Sequence, residues 1–215
     1  MKNLRSLLLL FFFMSGACGL VYEIVWLRVM GLIFGNTTFA ASTVLAAYMA
    51  GLGLGALYFG KVIDSEGYSG QSQDIRNSTC PEGRWPSEAR SLGRRNDPVR
   101  LYGLLEGGVG IYALLTPLIW KGLDLIHIGF HRIFDPSFLQ FSLFRFGISF
   151  FALLVPTFLM GGTLPVLVKY FVRQKKETAS HVGMLYALNT FGAVLGVLCS
   201  SFVLLPVLGA WQTVF

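Results

Sequence analysis

Residues 4–34 read LRSLLLLFFFMSGACGLVYEIVWLRVMGLIF, and after Arg5 the only charged residues in this stretch are Glu23 and Arg28. A helix needs about 20 apolar residues to cross the hydrocarbon core of a bilayer. The stretch exceeds that length, and it is also too long for the apolar part of a signal peptide. It therefore predicts a retained transmembrane helix over about 6–34. The alternative is a lipoprotein-type cleavage at Cys18.

The composition of the whole chain is typical of an integral membrane protein. Of its 215 residues, 54% are hydrophobic and 13% are charged, whereas soluble domains carry about 25% charged residues. This excludes a soluble enzyme and an intrinsically disordered chain. The net charge of +6 comes from Lys and Arg at the ends of apolar runs rather than from a patch. We therefore predict a lipid bilayer as partner and no nucleic acid.

Four further apolar runs follow the first. They predict helices over about 38–62, 101–120, 138–172 and 182–208, and residues 209–215 resemble the start of a sixth helix. The predicted fold class is an all-α integral membrane protein, a polytopic helix bundle forming one membrane domain over 1–215. Residues 64–98 mix charges of both signs with Ser, Gly and Pro, which predicts a flexible cytoplasmic loop inserted in that domain.

The distribution of basic residues predicts the orientation. With a cytoplasmic N-terminus, thirteen of the 17 Lys and Arg residues lie on the cytoplasmic side and four on the outer side. Cytoplasmic loops carry the excess of Lys and Arg in membrane proteins. We therefore expect a multi-pass protein with its N-terminus in the cytoplasm and, after five crossings, its C-terminus outside.

Small residues and prolines interrupt the apolar runs at regular places. Glycines four positions apart let helix backbones approach closely, and they predict helix packing at Gly51, Gly55, Gly103, Gly107, Gly192 and Gly196. The fourth run contains Pro156, Gly161, Gly162 and Pro165, which predict a helix break, because proline removes a helix hydrogen bond. The broken helix either lines a cavity or is a static kink filled by its neighbours.

Several polar side chains lie inside the apolar runs. Ionisable groups there are costly and are functional candidates by default. We expect a substrate or cation pathway formed by Tyr22, Glu23, Tyr48, Glu106, Thr163, Tyr186 and Asn189. In the sharper hypothesis Glu23 and Glu106 face one internal cavity and attract a cation. The alternative for each carboxylate is a structural ion pair or a position at the membrane interface.

Catalytic and metal-binding patterns are weak in this chain. No Ser/His/Asp or Cys/His arrangement predicts a nucleophile, so we name no catalytic residue. His127 and His131 are four apart and can share a helix face, but no third ligand is evident. We therefore predict no metal site.

Three segments together resemble the membrane region of bacterial spermidine synthase-like proteins. Residues 15–26, SGACGLVYEIVW, resemble the pattern SG-x-x-GL-x-YE-x-x-W of that family. Residues 156–165, PTFLMGGTLP, resemble its P-x-x-LMG-x-TLP signature, and residues 186–206 resemble its Y-x-x-NT-x-GA-x-x-G…F-x-LLP signature. Residues 60–67, GKVIDSEG, also resemble the G-x-L-x-D-x-x-G loop of major facilitator transporters. The resemblance implies a facilitator-type half.

The resemblance implies a membrane module in the bacterial inner membrane. Such a module anchors polyamine synthesis at the membrane, or binds and translocates a cationic polyamine-type substrate. The aminopropyltransferase domain, with its decarboxylated S-adenosylmethionine, is not expected in these residues, because they contain no glycine-rich nucleotide turn and no acidic catalytic loop. A partner or downstream domain is expected to supply the remaining helices or the synthase domain. The alternative is a non-catalytic structural membrane subunit that packs against a partner protein.

Overall fold

The computed structural model describes residues 2–35, 37–76, 98–171 and 178–213. The described chain is helical, with successive elements α1 Lys2–Phe34, α2 Thr37–Arg76, α3 Pro98–Phe134, α4 Phe138–Phe171, α5 Thr178–Cys199, a π-helical turn Ser200–Leu204, and α6 Leu205–Thr213. Among the described residues, five stretches are long and apolar enough to cross a membrane: Leu4–Phe34, Thr38–Ile63, Pro98–Phe134, Phe138–Phe171 and Ala179–Gly209. The prediction of an all-helical chain with five membrane-length helices is confirmed, which is compatible with a multi-pass membrane protein.

Two helices extend beyond their predicted ends. The backbone of α2 continues past residue 64 to Arg76, so helix replaces the first part of the predicted loop, and residues 77–97 lie outside the described residues. α3 runs to Phe134 instead of residue 120. Its buried positions recur every three or four residues from Tyr102 through Trp120 and Leu123 to His127, so one continuous face packs inward over that part of the helix.

The junction of α5 and α6 contains a π-helical turn whose cause is visible in the sequence. The backbone N–H of Leu205 donates to the carbonyl of Ser200, five residues earlier. Pro206 follows directly, and its ring clashes with the carbonyl four residues earlier in a regular α-helix. The wider turn relieves that clash. Further on, Gly209 has φ 77° and ψ 170°, a conformation that glycine tolerates best, and the chain bends there.

Two interfaces dominate the bundle, between α2 and α4 and between α1 and α5. Backbone approaches backbone in both, because glycines leave no room for a side chain. A Cβ added at Gly51 would overlap Thr157, and one at Gly55 would overlap the carbonyl of Phe158. On the other pair of helices, Gly192 and Gly196 lie against the backbone of α1 at Phe13 and Ala17. These glycines allow the close packing that small residues permit in membranes.

The packing expected of Gly103 and Gly107 does not hold within this chain. Both glycines are exposed, and an added Cβ would meet nothing within 4 Å. The reason is the rotation of α3, which turns the face with Tyr102, Leu105 and Val109 toward the bundle. Gly103 and Gly107 therefore point away from it.

The predicted break in α4 is corrected by the structure, because one continuous helix spans Phe138–Phe171. Pro156 lacks the N–H that would bond the carbonyl of Ala152, and the hydroxyl of Tyr112 on α3 donates to that carbonyl instead, at 2.7 Å. Gly161 and Gly162 serve packing: an added Cβ would overlap the backbone of Leu52 and the ring of Phe59. The Tyr112 hydroxyl thus compensates for the backbone hydrogen bond that is lost at Pro156. Pro165 also lies inside the continuous helix.

Buried apolar side chains form two clusters, one toward each end of the bundle. The first surrounds the end of α1 and the start of α2 and comprises Val25, Trp26, Val29, Met30, Ala40, Val44, Ala47, Tyr48, Trp120, Leu123 and Leu153. The second surrounds the start of α1 and the end of α4 and comprises Leu8, Phe12, Ile63, Tyr102, Leu105, Val166, Leu167, Phe171 and Leu185. Outward faces are also apolar, as at Leu104 (73% exposed) and Phe202 (76% exposed).

Candidate functional site

Glu106 on α3 points at one face of α1. Ser15, Cys18 and Tyr22 recur on that face at helical spacing, and all three interact electrostatically with the carboxyl. Tyr102, one turn earlier on α3, approaches it as well. Oε1 of Glu106 and the Tyr102 hydroxyl are both buried, and the two side chains are close enough to interact. We call these five residues the Glu106 cluster.

Glu23 lies on a different side of α1, where that helix packs against α2. Its side chain is 7% exposed, and the neighbouring Tyr48 is 6% exposed. The carboxyl is close enough to act electrostatically on the Tyr48 hydroxyl. Gly19, one turn before Glu23, makes room for this contact, since an added Cβ would lie 3.3 Å from the Tyr48 hydroxyl. We call Glu23 and Tyr48 the Glu23–Tyr48 pair.

Neither carboxyl has a basic neighbour in the part of the chain that the structure describes. The groups that interact with the Glu106 carboxyl are the hydroxyl and thiol groups of its cluster, and the group that interacts with the Glu23 carboxyl is the Tyr48 hydroxyl. An unpaired carboxylate at membrane depth is costly, and such residues mark substrate or ion pathways. The structural ion pair considered for these residues is therefore not observed there.

The two carboxyls lie on different faces of α1. Tyr22 faces the Glu106 cluster, while Glu23 is the next residue and points about 100° away around α1. The space between α1, α3 and α4 is small and mostly apolar, and its walls are formed by Tyr22, Trp26, Val109, Tyr112, Ala113, Pro156 and Met160. Neither glutamate lines it. The bundle thus contains two separate carboxyl positions on either side of α1.

The remaining pathway candidates lie in three different environments. Thr163 is buried, and its hydroxyl donates to the carbonyl of Met160 on its own helix at 2.7 Å. Asn189 is half-buried against α1, where its Oδ1 lies 2.7 Å from the position of a Cβ at Gly16. Tyr186 is 64% exposed and points away from the bundle. The structure therefore groups Tyr22 with Glu106 and Glu23 with Tyr48. It brings neither carboxyl into contact with Thr163, Tyr186 or Asn189.

Ser15, Cys18 and Tyr102 were missed as site residues by reasoning from the sequence. Ser15, Cys18 and Tyr22 are spaced by three and four positions, which is the signal of a shared helix face. Tyr102 is likewise four positions before Glu106. This spacing identifies each face, but only the tertiary structure shows that side chains of the two faces meet.

The histidines of α3 belong to an aromatic contact with α4. The ring of His127 meets Phe144 edge-on with centroids 6.3 Å apart, and His131 meets Phe141 at 5.1 Å. Within residues 2–35, 37–76, 98–171 and 178–213, no group of three or more His, Cys, Asp or Glu is arranged to hold a metal ion.

Comparison with known proteins supports a distant relation to one enzyme class. No protein family model matches the chain, and no solved structure matches it. The chain is 25% identical over 215 residues to polyamine aminopropyltransferase 1 of Streptomyces coelicolor, and the match covers 97% of this chain. The chain spans 30% of the length of that relative. The similarity and the apolar helices together are compatible with a membrane module of a spermidine synthase-like protein.

Proposed function

We propose that the chain is the membrane module of a polyamine aminopropyltransferase-like protein, and that the carboxyls of Glu23 and Glu106 bind the ammonium groups of a polyamine-type cation. The observation that carries this proposal is that buried Glu23 and half-buried Glu106, whose Oε1 atom is buried, have no basic partner among the described residues. Carboxylate oxygens accept hydrogen bonds from ammonium groups. The distant relative named above supplies the substrate class.

The aromatic and hydroxyl groups around the carboxyls suit an alkyl ammonium ion. Tyr48 lies beside Glu23, and Tyr22 and Tyr102 lie beside Glu106. Tyrosine rings attract cations placed over their faces, and the hydroxyls can accept further hydrogen bonds. Two separate carboxyl positions suit a cation that carries more than one ammonium group.

A facilitator-type half in the bacterial inner membrane, with a cytoplasmic N-terminus, is part of the proposal. It is supported by equal spacing within the chain: Gly51 and Gly192 are 141 positions apart (192 minus 51), as are Gly55 and Gly196 (196 minus 55). The backbone partners of the second pair, Phe158 for Gly55 and Ala17 for Gly196, show the same difference (158 minus 17). The helix pair α1–α2 is then repeated by the pair α4–α5. The repeat is inverted, because two helices that are three membrane crossings apart run in opposite directions.

Binding of labelled spermidine to the purified 215-residue chain in detergent tests the proposal. Glu106→Gln and Glu23→Gln keep the shape of the side chain and remove its charge, so each is expected to weaken binding about tenfold or more, as for a lost charge-assisted hydrogen bond. The matched control is Asp135→Asn, because Asp135 is exposed in the turn between α3 and α4. Unchanged binding by the double glutamine variant contradicts the proposal.

Uptake of the same label into proteoliposomes separates the two forms of the function. Translocation predicts uptake that depends on Glu23 and Glu106, whereas anchoring of polyamine synthesis predicts binding without uptake.

One observation favours the structural alternative, a non-catalytic subunit that packs against a partner protein. The exposed glycines of α3, Gly103 and Gly107, form a face that no described residue covers. If this face holds a partner, Gly103→Leu reduces the size of the native complex extracted from membranes, while spermidine binding is unaffected.

A further inference from the structure

A partly open cavity lies at the junction of α5 and α6, beside the C-terminal part of α1. Its volume is about 370 Å³, and it is lined by Arg28, Ser201, Leu205, Pro206 and Gly209. Sites for small ligands usually occupy about 300–1,000 Å³. The cavity is distinct from the Glu106 cluster and the Glu23–Tyr48 pair, since it shares no residue with either.

Local backbone geometry creates this space. The π-helical turn Ser200–Leu204 widens the helix directly before Pro206, and Gly209 then bends the chain. π-helical turns occur frequently at functional sites. Ser201 lies within the wide turn, and Leu205 and Pro206 follow it, so one polar and two apolar residues line the cavity together with Arg28 and Gly209.

Arg28 gives the cavity its charge. It lies six positions before the end of α1 at Phe34, or about 9 Å along the helix at 1.5 Å per residue. Its side chain is exposed, and no acidic residue lines the cavity. Glu23, five positions earlier, faces Tyr48 instead. A guanidinium near the end of an apolar helix favours an anionic partner at the membrane interface.

We propose that this cavity binds a phosphate group, with Arg28 as its cationic anchor. The planar guanidinium matches phosphate oxygens in a bidentate arrangement, and the hydroxyl of Ser201 is available as a further donor. Leu205 and Pro206 contact the apolar part of the ligand. The phosphate belongs either to a phospholipid headgroup or to a soluble phosphate compound, and the two sources share this chemistry.

Native mass spectrometry of the full chain in a non-ionic detergent, titrated with phosphatidylglycerol, tests the site. The wild-type chain is expected to retain the lipid at about tenfold lower concentration than Arg28→Gln. Arg132→Gln is the matched control, since Arg132 is an exposed arginine of α3 outside the cavity. It is expected to retain lipid like the wild type.

Inorganic phosphate at millimolar concentration, added as competitor, separates the two sources. Displacement of the lipid indicates a soluble phosphate ligand, and retention of the lipid indicates a headgroup site. Leu205→Trp keeps Arg28 and fills the cavity, so it is expected to lose binding even if Arg28→Gln fails to fold. The proposal is overturned if the wild type retains no lipid, if both cavity variants bind as it does, or if Arg132→Gln loses as much as Arg28→Gln.

Discussion

Single hydroxyl groups satisfy backbone carbonyls at several points of the bundle. Tyr112 donates to the carbonyl of Ala152, and Thr157 donates to the carbonyl of Leu153 at 2.8 Å and lies 3.3 Å from that of Ala47 on α2. Hydrocarbon offers no hydrogen-bond donors, so a carbonyl freed by proline needs a partner from the protein. The residue that keeps α4 continuous at Pro156 therefore lies on another helix.

Tyr112→Phe removes that hydroxyl and leaves the ring in place. The variant is expected to lose about 1 kcal/mol of stability, because the Ala152 carbonyl remains buried without a donor. Chemical unfolding in detergent, followed by tryptophan fluorescence, measures the loss. Tyr58→Phe is the control, since Tyr58 is 56% exposed. Equal stability of Tyr112→Phe and wild type shows that the bond does not stabilise α4.

At the scale of helices, the same glycine spacing has two different outcomes. Gly192 and Gly196 on α5 contact the backbone of α1, whereas Gly103 and Gly107 on α3 contact nothing within 4 Å. Spacing by four positions shows only that two residues share a helix face. Whether that face packs depends on how each helix is rotated in the bundle, and this rotation is a property of several helices together.

This difference predicts unequal effects of one substitution. Gly196→Leu forces a side chain into the backbone of Ala17 and is expected to cost about 1–3 kcal/mol, which corresponds to a Tm lower by roughly 5 °C. Gly107→Leu adds the same side chain to an open face and is expected to leave Tm unchanged. Fluorescence-detected size-exclusion chromatography after heating measures both. Equal losses in the two variants contradict the packing described for α5.

At the scale of the whole molecule, the charge distribution predicts an orientation in the membrane, and this prediction is open to direct test. The orientation is measured with a chain that lacks Cys18, Cys80 and Cys199. One new cysteine is introduced at a time, in place of Asp135 or of Arg94. The positive-inside rule predicts that Asp135→Cys reacts with an impermeant maleimide in intact cells, and that Arg94→Cys, outside the described residues, reacts only after permeabilisation. Labelling of both sites in intact cells contradicts five crossings with a cytoplasmic N-terminus.

The sequence alone determined that the chain is helical and apolar enough to span a membrane five times, because apolar length is a local property that needs no partner. It also identified Glu23 and Glu106 as unusual, since a charge within an apolar run is visible without a structure. Tertiary structure decided the surroundings of each group: Ser15, Cys18 and Tyr102 meet Glu106, and Tyr48 meets Glu23. Such contacts depend on helix rotation and on which helices are neighbours, and periodicity within one helix contains neither.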